Sequence, residues 1–236
     1  MKKSTVNQIK ERFDNDVERF SSLDIGQTST VDAVLAMNLI TQAAALVTPN
    51  ASHVLDVGCG AGNYSLKLLQ RLPNLDVTLV DLSKPMLDRA NERIRNVSNG
   101  KINAIQGDIR LVDLDEDQFD IVLAAAVLHH LRGEEEWESV FRKIFRSLRS
   151  GGSFWIFDLV EDTLPPVQKM MWERYGEYLV EFKDEKYRDL IQGYIIQEDT
   201  PRSLLFQVDL MRKVGFIDPS ILHKNICYAA FGAVKP

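Results

Sequence analysis

Four aspartates, a run of glycines and a pair of histidines are the groups in this chain whose spacing suggests chemistry. Asp56-Val57-Gly58-Cys59-Gly60-Ala61-Gly62-Asn63 sets glycine at every second position after an acid. A glycine bend between a strand and a helix lets a ligand press against bare backbone. The N–H groups at the start of the helix aim at polar or negative atoms. The spacing excludes two ligand classes. A dinucleotide fingerprint has its third glycine three places after the second, whereas Gly62 is two places after Gly60. No phosphate-binding Lys follows, so a P-loop is excluded too. Asp81 comes about 20 residues later, where a carboxylate can accept two hydrogen bonds from a vicinal diol. Gly107-Asp108-Ile109 and the pair His129-His130 follow, and then Asp158. A histidine titrates near neutrality, so His130 is the first candidate for a general base, with Asp158 behind it.

These groups must be positioned by alternating strands and helices. Val54–Val57 reads as a buried strand and Tyr64–Leu72 as the helix after it. Leu75–Asp81 is a second strand ending in an acid. Ser83 before Pro85 caps a helix over residues 85–97, which frees Asp81 for a ligand. Lys101–Gln106 is a third strand. Phe119–Ala126, apolar on both faces, reads as the buried centre of a parallel sheet. An acidic start at Glu134-Glu135-Glu136 opens a helix with an apolar stripe that includes Trp137. Arg149-Ser150-Gly151-Gly152 ends it before a fifth strand, Ser153–Val160. In such open sheets ligands bind beyond the carboxyl ends of the strands.

Helices flank this core. Residues 5–20 carry apolar side chains at helical spacing. A polar loop around Gly26-Gln27-Thr28 leads to a second helix from about Val31 to Val47. Pro165-Pro166 begins an insertion read as two helices, 165–181 and 184–193, with Trp172, Tyr175, Tyr178 and Tyr194. A helix over 203–214, closed by Gly215, precedes two strands, 216–222 and 226–234. The expected organisation is one domain over residues 1–236. Residues 1–50 form a helical cap, and residues 161–200 a helical lid.

Composition narrows the partners. The 236 residues are 45% hydrophobic and carry a net charge of −6. The pI near 5.3 argues against a general nucleic-acid field. Cys59 and Cys227 are far apart and suggest no disulfide, and Cys59 fills space in the glycine loop. No His, Cys or Asp cluster has metal-ligand spacing, so no metal is expected. The apolar run at 121–128 is too short to span a bilayer, and the basic start lacks a signal-peptide core. A cytoplasmic protein without membrane contact is expected, with a homodimer left open.

Asp56-x-Gly58-x-Gly60-x-Gly62 closely resembles motif I of class I S-adenosylmethionine (SAM) dependent methyltransferases. The resemblance runs from about residue 50 to the C-terminus. It implies an α/β Rossmann-like fold: a seven-stranded, mostly parallel sheet with an antiparallel last strand and helices on both faces. It implies SAM as cofactor, with S-adenosylhomocysteine as product. The residues it assigns to the cofactor are Asp56, Gly58, Cys59, Gly60, Gly62, Asn63, Asp81, Leu82, Met86, Gly107, Asp108, Ile109 and Ala125. In that assignment Asp81 holds the ribose, Leu82 and Met86 flank the adenine, and Asp108 accepts its amino hydrogens.

Methyl transfer to a small molecule by in-line displacement is the expected reaction. The acceptor is expected against Gln27, Thr28, His129, Trp172, Tyr175, Tyr178 and Tyr194. Two alternatives stand beside it. One is a non-catalytic SAM-binding module. The other is an enzyme similar to carboxy-S-adenosylmethionine synthase, which modifies SAM for use at the tRNA wobble uridine. That branch shares the Gly107-Asp108-Ile109 neighbourhood and the Gly215-Phe216 ending. It carries an asparagine near position 125, where this chain has Ala125, and its carboxylate-binding arginine would fall to Arg188 or Arg202.

Overall fold

In the computed structural model, which describes residues 3–22 and 29–236, the frame is a seven-stranded sheet. Its strands are β1 (His53–Val57), β2 (Asp76–Asp81), β3 (Ile102–Gln106), β4 (Phe119–Ala125), β5 (Leu148–Leu159), β6 (Ile217–Asn225) and β7 (Tyr228–Val234). Their order is β3-β2-β1-β4-β5-β7-β6. The first five run parallel, and β7 lies antiparallel between β5 and β6. Chain order reverses between β1 and β4, which creates the crevice where open α/β sheets bind ligands.

Side-chain alternation sorts the strands onto two cores. Val54, Leu79, Ile121 and Leu123 face one core, which includes α3 (Ala33–Val47), α4 (Asn63–Leu69), α5 (Lys84–Arg95), α7 (Pro165–Phe182) and α8 (Glu185–Glu198). Leu55, Val57, Val80, Val122 and Ala124 face the other, with α6 (Glu134–Ser147) and α9 (Leu204–Val214). Both faces of β4 are covered, which is why it reads as a continuous apolar run.

The structure moves several boundaries. The helix expected over 5–20 is two helices, α1 (Val6–Asp14) and α2 (Val17–Ser21), parted at Asn15-Asp16. Thr5 and Gln8 form a reciprocal cap at the start of α1. The helix α3 begins at Ala33 rather than Val31. Asp32 sits at φ +57, and its side chain accepts from His223 and Asn225 instead of capping. Arg149–Gly152 belong to β5, where the pairing with β4 is irregular. The second helix of the insertion continues to Glu198. Among the described residues no helix is long and apolar enough to cross a membrane.

Candidate functional site

One pocket opens at the carboxyl ends of β1, β2 and β4, and the glycine loop forms its floor. The loop is pinned to β2, since Gly58 and Cys59 both donate to the Val80 carbonyl at 2.8 and 3.1 Å. Gly58 has φ +64, and a Cβ there would sit 2.4 Å from a Val127 methyl. No other residue allows that approach. Gly60 has φ +50 and open space where its Cβ would be, so bare backbone faces the pocket. Gly62 was expected against the cofactor, but it does not line the pocket. A Cβ on it would press on Ala90 at 3.1 Å, so its smallness serves the packing of α4 on α5. Asn63 lines the pocket, donates to the Phe20 carbonyl and accepts from Arg93, tying the loop to α2 and α5.

Asp81 lines the same pocket. Its two oxygens accept from Gly60 N–H and Ser83 N–H, each at 2.8 Å, and each keeps a lone pair for a ligand. Burial pushes its carboxyl above the ordinary range. Ser83 caps α5 through Met86 N–H, as the sequence implied. Asp56 is fully buried, accepts from Ser65 Oγ at 2.6 Å, and is pushed up to about 7 by loss of solvent. Tyr64 lines the pocket as well, and its buried hydroxyl has no partner in the protein. Cys59, Leu82, Met86, Gly107, Ile109 and Ala125 are in the wall.

Asp108 lies in the wall, but its carboxylate does not face the pocket alone. Arg110 grips both of its oxygens, at 2.9 and 3.0 Å from Nε, and also reaches Glu136 at 3.0 Å. Burial alone would raise the Asp108 carboxyl. The guanidinium outweighs it and holds the group below its usual range. Asp108 thus lies in the pocket wall with Arg110 bound to both of its oxygens. No sequence motif announced Arg110.

The two histidines diverge. His130 is in the pocket wall, whereas His129 is not and points into the protein. His129 Nδ1 meets Asp158 Oδ1, and its backbone N–H donates to Asp158 Oδ2 at 2.9 Å. Leu159 N–H also donates to Asp158. Burial pushes His129 down, but Asp158 and Asp199 outweigh it and lift the imidazole to about 9. Asp158, expected as a base, is fully buried, bonded to His129 and absent from the pocket wall. Asp199, from the end of the insertion, was not singled out by the sequence. It stands 3.0 Å from His130 Nδ1.

The aromatic insertion is also corrected. Trp172, Tyr175, Tyr178 and Tyr194 line no part of the pocket. Tyr175 is fully buried and donates to the Ser29 carbonyl, and the other three pack against the same core. Arg12 lies over the Tyr194 ring. The pocket is covered instead by Ile9 and Phe13 of α1, Phe20 of α2, and Thr30. Gln27 and Thr28 lie outside the described residues. Arg188 borders a surface groove between α7 and α8, and Arg202 stacks on Phe206. Neither brings a carboxylate-binding charge to the pocket.

Comparison with known proteins fits this geometry. Residues 54–152 match the family described as "Methyltransferase domain". Demethylmenaquinone methyltransferase of Lactococcus lactis is 26% identical over 169 residues, 70% of this chain and 65% of its own length. Malonyl-[acyl-carrier protein] O-methyltransferase of Paenibacillus is 27% identical over 130 residues, 54% of this chain and 46% of its own. The chain thus spans between about half and two thirds of these relatives. Human N-acetylserotonin methyltransferase, solved in complex with SAM, superposes with a TM-score of 0.64 at 17% identity. That match covers 98% of this chain and 59% of the human one and shows a shared fold.

Proposed function

We infer, from the class I SAM-dependent methyltransferase domain that this chain carries, that the protein transfers a methyl group from SAM to a small, largely apolar acceptor. The observation that carries the reading is a single pocket with two unlike parts. One part is the glycine loop with Asp81. The other is an apolar cover of Ile9, Phe13 and Phe20 beside His130.

The residues present suit SAM. Gly60 offers open backbone, Asp81 keeps acceptor capacity for a diol, and the Tyr64 hydroxyl is a buried polar atom awaiting a partner. When bound, SAM supplies an electrophilic methyl group on a positively charged sulfur. The chain then has to align and enclose. Asp81 fixes the ribose end. Phe13 and Phe20 exclude water and supply apolar contact to the acceptor, and His130 is the polar group beside it. The L. lactis relative is named for a quinone precursor, which supports an apolar acceptor.

Calorimetry with S-adenosylhomocysteine tests the cofactor half. Micromolar binding is expected, and Asp81→Ala should weaken it by about 1–3 kcal/mol, the worth of hydrogen bonds to a charged group. Binding of a nicotinamide dinucleotide in its place would reject the reading. Label transfer from methyl-labelled SAM into phenols, quinols and acyl carboxylates tests the acceptor half. Tight, salt-sensitive tRNA binding would overturn the small-molecule class.

A further inference from the structure

We propose that His129, His130 and Asp199 bind one divalent transition-metal ion at the wall of the pocket. The proposal stands on the arrangement of these groups and does not depend on methyl transfer. His129 and His130 occupy a 3₁₀ turn after β4, and Asp199 follows the last residue of α8. One ring nitrogen of each histidine and a carboxylate oxygen of Asp199 all lie within 4.8 Å of one another. Asp199 Oδ1 is 3.0 Å from His130 Nδ1 and 3.8 Å from His129 Nε2. The longer contact is out of hydrogen-bond range; the shorter is within range in distance, but its alignment leaves both buried atoms without a well-formed partner. Asp199 is 7% exposed, so its orphan oxygen is an unpaired acceptor inside the protein. Lone pairs that converge without pairing are what a shared cation arranges, because each aims at the ion rather than at its neighbour.

Two further features fit. The Nδ1 of His129 is fixed on the buried Asp158, which leaves Nε2 to bind. Metal-ligating histidines almost always donate the other ring N–H to a carboxylate, a backbone carbonyl or a water, and Asp158 fills that place here. Charge points the same way. Among the described residues, no Lys or Arg side chain forms an ion pair with Asp158 or Asp199. Arg12 is committed to Glu198, and Lys3 donates to the backbone carbonyls of Ile196 and Asp199. Apart from the imidazoles themselves, the described residues set no side-chain cation in an ion pair with Asp158 or Asp199, and a divalent ion would supply one. Two imidazoles and a carboxylate favour zinc-like metals over magnesium or calcium. Bonds of about 2.0–2.2 Å put tetrahedral ligand atoms about 3.3–3.6 Å apart, so the 3.8 Å pair must close by up to ~0.5 Å and a pair at the 4.8 Å limit by a little over ~1 Å, within the reach of side-chain rotation.

Cobalt(II) is the probe, added to the untagged full-length protein after chelator treatment. One equivalent should give visible d–d bands, and zinc should bleach them. His130→Gln and Asp199→Asn should abolish the bands. Asp158→Asn should weaken cobalt binding roughly 10–100-fold by releasing His129. Unchanged S-adenosylhomocysteine affinity and thermal unfolding certify that each variant is folded. His130 is part of the pocket wall, so for His130→Gln unfolding alone is the control. No bands at millimolar cobalt would overturn the proposal and leave a protonated imidazole as the cation between the two carboxylates. Bands that survive all three substitutions would overturn it as well, because the ion would then lie elsewhere.

Discussion

Two helical additions flank the sheet, and they use similar residues for opposite ends. The N-terminal pair, α1 and α2, is modest in composition, yet it puts Ile9, Phe13 and Phe20 into the pocket. The insertion, α7 and α8, carries a tryptophan and four tyrosines, yet none of them reaches the pocket. Tyr175 shows why. It is fully buried, and its hydroxyl is satisfied by the Ser29 carbonyl, with Tyr228 at 3.4 Å. An aromatic with its polar tip satisfied inside the protein is serving packing. The side on which a helix lies matters more than how many rings it carries. The two additions are also joined: Arg12 of α1 forks onto Glu198 at the end of α8, and Ser4 N–H donates to the Gln197 carbonyl.

The largest expected effect breaks the comparison if it fails. Tyr175→Ala should destabilise the protein by about 3–5 kcal/mol, the range for deleting a large buried ring. Thermal unfolding measures this. A variant as stable as the parent, but deficient in ligand binding, would return the insertion to the role of a lid.

The pocket floor gives the next effect. Burial holds Asp56 protonated up to about pH 7, whereas in the unfolded chain it ionises near 4. Its folded value is raised, so its contribution to stability is complete below about 4 and is lost as pH rises through about 7. The whole change is at most ~4 kcal/mol. Asp56→Asn should flatten denaturant-derived stability across that window. An unchanged pH dependence would mean that solvent already reaches the floor.

Arg12→Ala is expected to cost about 1.5–3 kcal/mol, because it leaves the buried Glu198 without its hydrogen-bonded partner. It should also loosen the cover. Asp56 in that variant should titrate closer to an ordinary carboxyl, readable as a shift of the pH window. Retention of the parental window would separate the latch from the pocket.

Phe13→Ala is the smallest change in stability and the sharpest contrast with Tyr175. Phe13 is only partly buried, so the fold should lose ~1 kcal/mol or less. Affinity for S-adenosylhomocysteine, or for the acceptor, should fall severalfold in calorimetry or initial-rate assays. Equal affinity in the two proteins would remove α1 from the site.

Sequence alone determined the frame of this protein. Alternating apolar strands and capped helices dictate a parallel sheet, because each strand must bury one face against each layer of helices. The glycine spacing and Asp81 marked the pocket, since both act through backbone geometry within a few residues of themselves. Leu82, Met86, Gly107 and Ala125, assigned by the family resemblance, lie in the wall of the same pocket. Tertiary structure decided the rest, because it depends on groups far apart in the chain. Gly62 turned toward Ala90 rather than the ligand, and Arg110 claimed Asp108. Asp158 went beneath the pocket with His129, while Asp199 arrived beside His130 from the far end of the insertion. A side chain's residue type fixes what it can bond. Its neighbours in space decide whether those bonds are spent on the fold or kept for a ligand.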